Sequence, residues 1–175
     1  KTDRGWRERV VIHTAAGFGD AAGDQAMDAA VPPQWAGEPV GTVLESSPAT
    51  RAIAGDIARA IVTQGGALLA IDYGYAATTP GDTLQAVVRH RYADIFADVG
   101  AQDLTVHVDF SALAAACRAE GARVSGPVEQ GAFLQSLGLE SRAQSLMAGH
   151  PHRASAIAAE RDRLAGEDQM GRLFK

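Results

Sequence analysis

The stretch "SSPATRAIAGDIARAIVTQGGALLAIDYG", residues 46–74, decides the fold class. Its first part reads as a helix. Ser47 is placed to cap it, and Pro48 takes the first helical position, where a missing N–H costs nothing. Ile53, Ile57 and Ile61 recur four apart and make one apolar stripe. Gly65 or Gly66 ends the helix. Ala67 to Ile71 then form a continuous apolar run, the pattern of a strand covered on both faces. Helix, short glycine link and buried strand are half of a βαβ unit, so the expected class is α/β. The run stops on Asp72-Tyr73-Gly74. In open α/β sheets, ligands bind outside the carboxyl ends of the parallel strands. A carboxylate and a phenol at this point read equally well as a solvated strand end or as the polar groups of a pocket, with Gly74 letting the chain turn.

Working outward, residues 6–14 ("WRERVVIHT") are rich in β-branched residues and read as a strand. The Gly/Asp-rich segment 15–25 follows as a loop, and Pro32, Pro33 and Pro39 make the next segment irregular. Val40–Glu45 reads as a short strand. Residues 82–90 and 104–109 read as extended, with a turn or short helix over 91–102. Residues 110–120 form a second helix: Phe110, Leu113, Ala114 and Cys117 share a face, Asp109 can cap it and Gly121 can stop it. Residues 122–128 read as a strand, and short helices follow over 130–139, 139–149 and 151–166. No internal repeat and no linker divides the chain.

Composition narrows the function classes. The chain has 175 residues, 46% of them apolar, enough to build a core. Its formal charge of −5, with dispersed cations, argues against general nucleic-acid binding. The lone cysteine, Cys117, allows no internal disulfide, so a reducing compartment is expected. No apolar run approaches the roughly 18 residues that span a bilayer, so membrane insertion is not expected. The chain starts at Lys1 and stops at "GRLFK", where Leu173-Phe174 opens an apolar element; both ends read as cuts in a longer protein.

Several constellations are weaker. "GFGDAAG" (17–23) follows a strand, but its last glycine is one residue too far for a dinucleotide loop, so a hairpin is favoured. His107 with Asp109, and His150 with His152, have spacing that could serve a metal, yet no third ligand is placed, and no metal is expected. Cys117 lies on an apolar helix face and reads as packing. No nucleophile elbow is present. Glu45 is either a first-turn acid favoured by the helix dipole or a ligand contact. His90, between Arg89 and Arg91, belongs to a solvated basic cluster or to a pocket rim.

Taken in order, "GWRERVV", "VLESSPA", "GGALLAIDYG", "GDTLQAVVRHRYADIFADVGAQDLTVHVDFSAL", "GPVEQGAFLQSLGLESRA" and "MGRLFK" resemble the MidA family of S-adenosylmethionine-dependent methyltransferases, to which the mitochondrial complex I assembly methyltransferase belongs. The resemblance covers nearly the whole chain. It implies the C-terminal part of a Rossmann-like class I methyltransferase fold: a mostly parallel sheet flanked by helices, with an inserted hairpin and loop over 1–45, a sheet-and-helix portion over 46–175 and short C-terminal helices. One partial domain is therefore expected over 1–175.

The resemblance also implies the chemistry. The family's glycine-rich motif, its ribose-holding acid and its Asn-Glu motif have no counterpart in this sequence, so cofactor-binding residues are expected upstream of Lys1, with S-adenosyl-L-methionine bound by the full-length protein and this portion inactive alone. The acceptor implied is a protein arginine in a subunit of respiratory complex I. Carboxylates orient a guanidinium through bidentate hydrogen bonds. Asp72 and Glu45 are the catalytic candidates, and Tyr73, Gly74, His90 and Asp109 the substrate-binding ones. A non-catalytic assembly module and a small-molecule methyltransferase are the alternatives. The Ala-, Gly- and Arg-rich composition favours a bacterial source and a cytoplasmic location; a eukaryotic source would place the protein in the mitochondrial matrix.

Overall fold

β1 (Arg7–Thr14) is the β-branched run expected near the start of the chain. The computed structural model of the protein describes residues 1–89 and 91–175, so the candidate His90 lies outside the described residues. β1 pairs antiparallel with β2 (Gly17–Ala26), with Val10 opposite Ala21 and Thr14 opposite Gly17. The Gly/Asp-rich segment 15–25, expected as a loop, supplies most of β2. Its glycines and alanines have weak strand preference, but β1 offers them a ladder that satisfies their backbone groups. Gly17, at φ +113°, closes the turn.

In chain order the next elements are α1 (Pro48–Gln64), β3 (Gly74–Tyr75), β4 (Gln85–Val88), β5 (Arg91–Ala93), β6 (Asp103–Thr105), β7 (Val108–Asp109) and α2 (Phe110–Ala119). The short helices α3 (Gln130–Ser136), α4 (Leu139–Gly149), α5 (Ala154–Ala165) and α6 (Met170–Leu173) follow. Contacts divide the chain into two compact units, 1–46 with 79–106 and 47–78 with 107–175.

In the first unit, β4 is flanked by β5 and β6, both antiparallel to it. Trp6 and Ala86 are its buried apolar residues among those described. Val40–Glu45 forms no strand; the Val43 carbonyl instead accepts the Gly81 N–H at 2.9 Å. The first residues of the segment expected as a turn or short helix, Arg91–Ala93, join the sheet as β5.

In the second unit, α1 has the expected ends. The Ser47 side chain accepts the Thr50 N–H at 3.2 Å, and the Gly65 N–H returns to Ile61 O. Its buried face differs from expectation: Ala54, Gly55 and Ala58 are buried, whereas Ile53 is 60% and Ile57 39% exposed. Small residues let the axis of α1 come close to α2, which buries Phe110 and Ala114. Arg59 ties the pair together, its Nε and Nη2 donating to Glu120 Oε2 and Oε1 at 3.0 and 3.1 Å.

The strand expected over 67–73 and covered on both faces is laddered only at its end. β3 pairs parallel with β7, Gly74 opposite Val108 and Tyr75 opposite Asp109. Tyr73 forms an antiparallel bridge with Phe174. Before Asp72 the segment belongs to no described ladder, and Leu68 and Leu69 are 58% and 70% exposed. Residues 122–128, also expected as a strand, are likewise unladdered. A strand needs partners on its edges, and within the described residues these are laid down only around Tyr73. Parallel pairing beside packed helices keeps the unit within the α/β class.

Candidate functional site

β3 and β7 bring the sequence candidates of the second unit together. Gly74 is buried, and the reason for a glycine here is space. A Cβ at this position would lie 2.1 Å from Val108 O and 2.9 Å from its backbone C and N. Gly74, expected as the residue that lets the chain turn, instead allows the close approach of β3 to β7.

Tyr73 is half-buried between two rings. It meets Phe174 edge-on at 5.6 Å and His107 at 5.8 Å between centroids. Edge-to-face pairs at this separation are favourable for quadrupolar rings and fix the plane of the phenol. His107 has only the spacing of a metal ligand in the sequence. Its place beside Tyr73 depends on the β3–β7 register, which no local pattern announces.

Asp72 is the exposed member. Its Oδ1 accepts the Tyr73 N–H at 2.8 Å, and its backbone exchanges two hydrogen bonds with Lys175, at 3.2 and 2.9 Å. None of the described ion pairs involves its carboxylate. Asp109 is occupied on both oxygens. Oδ1 accepts the Ala112 N–H at 2.9 Å, the cap of α2, and Oδ2 accepts the Thr78 hydroxyl at 2.7 Å. The structure thus gives Asp109 the capping role that its position suggested.

Glu45 belongs to the first unit. Its Oε1 accepts the Thr83 N–H at 2.9 Å and its Oε2 the Thr83 hydroxyl at 2.5 Å. The same irregular segment carries Asp82, which receives a two-pronged bond from Arg9 at 2.7 and 2.9 Å. That hydrogen bond lowers the Asp82 pKa from the ordinary carboxylate value and raises that of Arg9. Arg9 and Asp82 tie the irregular 80–83 segment to β1, and Glu45 holds its Thr83, a structural arrangement.

Among the described residues, no three His, Cys, Asp or Glu side chains converge on a point that could hold a metal, and no helix is long and apolar enough to cross a membrane. His150 and His152 meet only edge-on, at 6.2 Å. The second unit also carries an apolar groove of about 950 Å³ between α1, α2 and the segments 65–71 and 121–128. Arg123 and Lys175 are the charged residues of its lining, and no carboxylate is among them.

Residues 1–128 match a family of proteins described as S-adenosyl-L-methionine-dependent methyltransferases. This chain belongs to that family, the MidA family. The mitochondrial protein arginine methyltransferase NDUFAF7 of Mus musculus is 34% identical over 133 residues, and its Drosophila melanogaster homolog 35% over 134. Each match takes in 75% of this chain and 30% of the relative. A COG1565 superfamily member from Burkholderia thailandensis, crystallised with S-adenosyl-homocysteine, superposes on 99% of this chain with a TM-score of 0.78 and 30% identity. The superposition takes in 47% of that protein, so the chain spans about half of the solved relative and less than a third of the curated ones.

The family cofactor sets a test for the groove. A sulfonium and a ribose diol call for carboxylate and polar partners, and the groove offers mostly apolar walls, two cationic side chains, Ser125 and Gln130, with no acidic side chain to face the sulfonium. Its residues do not fit S-adenosyl-L-methionine.

Proposed function

We propose that this chain forms the acceptor side of a MidA-family methyltransferase that modifies an arginine of a protein. The observation that carries the proposal is Asp72: an exposed carboxylate at a strand end, oriented by the Tyr73 N–H and ion-paired with no described residue. The other two acidic candidates, Glu45 and Asp109, have both oxygens engaged by their own units. The mouse and fly relatives, named as protein arginine methyltransferases, support arginine as the acceptor.

An arginine side chain is cationic up to a pKa above about 12. A carboxylate accepting two of its N–H groups fixes the guanidinium plane and the direction of the free nitrogen. The bond from the Tyr73 N–H to Oδ1 favours one orientation of the Asp72 carboxyl and so gives its remaining lone pairs a preferred direction. Tyr73, held between Phe174 and His107, forms a firm wall beside it. The contribution of these residues is alignment: misplacing a reacting group by about 1 Å costs on the order of 100-fold in rate. The finer reading, that the acceptor lies in a subunit of respiratory complex I, rests on the family resemblance. So does the location we infer, the bacterial cytoplasm or, for a eukaryotic source, the mitochondrial matrix.

The test is transfer of a labelled methyl group to arginine-containing protein by the full-length enzyme and its Asp72→Ala and Asp72→Asn variants. The expected loss in kcat/KM is about 100-fold, with thermal stability unchanged, because the side chain is exposed and buries nothing. Turnover equal to the parent's would remove Asp72 from the mechanism.

A further inference from the structure

Tyr73 is met by a ring from each side, and the two rings arrive on different backbone segments. Phe174 comes with the antiparallel bridge on one edge, at 83° to the phenol, and His107 with the parallel ladder on the other, at 69°. Edge-to-face pairing of this kind is favourable beyond the area it buries, and it depends on how the rings are turned.

The segment that carries His107 has little room to move. The next residue, Val108, donates its N–H to Tyr73 O at 3.0 Å. It also lies so near β3 that a Cβ at Gly74 would stand 2.1 Å from its carbonyl oxygen. Asp109 follows, with Oδ1 engaged by the Ala112 N–H and Oδ2 by the Thr78 hydroxyl. A chain pinned at residues 108 and 109 holds the residue just before them in place, so the imidazole stays against the phenol.

The path from there to the carboxylate is short. The Tyr73 N–H donates to Asp72 Oδ1 at 2.8 Å. The carboxyl torsion of an aspartate is otherwise broad, so the direction in which residue 73 points its N–H sets the orientation that Asp72 prefers. His107 steadies residue 73, and residue 73 steadies the carboxylate. We infer, resting on the reading of Asp72 as the acceptor contact, that His107 is a positioning residue for methyl transfer, acting through Tyr73 on Asp72 and touching neither acceptor nor cofactor. A half-buried histidine at a strand end has a plainer role too, filling space beside a tyrosine. The two roles part in what an aliphatic side chain of similar bulk does there.

Methyl transfer by the full-length enzyme separates them. His107→Leu keeps the bulk and removes the ring. It is expected to lower kcat about tenfold, the rate equivalent of one edge-to-face pair, with KM for the methyl donor unchanged. His107→Phe keeps a ring edge beside Tyr73 and should stay within about twofold of the parent. In an Asp72→Ala background the His107→Leu change should cost nothing further, since the group it positions is gone. Equal turnover by His107→Leu and His107→Phe makes bulk the whole role and overturns the inference. So does a His107→Leu loss that multiplies in full with that of Asp72→Ala, or a loss of kcat that falls in step with Tm across the variants. If Asp72→Ala itself turns over at the parent's rate, the acceptor reading fails. If Asp72→Ala is slow and His107→Leu is not, only the role of His107 fails.

Discussion

Replacing Gly74 with alanine tests the geometry that positions Asp72 and Tyr73. The added Cβ would start 2.1 Å from the Val108 carbonyl oxygen, with the Val108 nitrogen and carbonyl carbon each at 2.9 Å. Ordinary van der Waals contact begins near 3.4 Å. The obstacle is backbone, so no rotamer change relieves it. β3 and β7 must separate by more than an ångström, and the Val108 N–H loses its bond to Tyr73 O. Overpacking of this kind costs about 1–3 kcal/mol, and a lost backbone hydrogen bond adds about 1 kcal/mol. The expected total is about 2–4 kcal/mol, measured as a shift in the urea midpoint at constant slope. Gly149→Ala supplies the control: it lies in the same unit, its Cβ would meet nothing within 4 Å, and it ends a helix where alanine is tolerated. Its expected effect is neutral or slightly stabilising. If Gly74→Ala unfolds at the parent's urea midpoint, the close β3–β7 approach is wrong, and with it the placement of Tyr73 beside His107.

Other predictions follow from the bonds around the candidates. Asp109→Ala removes the α2 cap and the acceptor of the Thr78 hydroxyl, and is expected to cost about 1–2 kcal/mol in urea unfolding; Asp109→Asn, an equally good cap, should lie within about 0.5 kcal/mol of the parent. The lowered Asp82 pKa means that its ion pair with Arg9 contributes stability above about pH 4, where the unfolded carboxyl is ionised, and loses it as pH falls through the lower folded value. Both side chains are more than a third exposed, so the contribution is about 0.2–1 kcal/mol. In Asp82→Asn it should be missing at pH 7, and the gap to the parent should close toward pH 2, as urea midpoints across that range would show.

What the sequence made legible was local. Ser47 and Asp109 cap helices because the bond a cap makes spans three residues, and that spacing is written in the chain. Gly65 ends α1 for the same reason. Features set by distant partners were read wrongly or missed. β2 has the composition of a loop and becomes a strand because β1 lies alongside it. In α1 the isoleucine stripe suggested the buried face, yet the helix packs through Ala54, Gly55 and Ala58, since close approach to α2 rewards small side chains over large ones.

The candidate site divides along the same line. Asp72-Tyr73-Gly74 could be picked out because an apolar run ended abruptly on polar groups. The physical reason for that ending lies elsewhere in the chain. Val108 comes so near that residue 74 has room for no side chain, Phe174 and His107 hold the ring of residue 73, and Lys175 ties the backbone of residue 72 while leaving its carboxylate in solvent. Each neighbour removes a freedom from one of the three residues. What remains is a single exposed, directed carboxylate at the point where parallel and antiparallel pairing meet. A group fixed in this way is costly to build for solubility alone, since any surface acid would serve that end. On the reading proposed above, that strand end serves as a preorganised ligand contact.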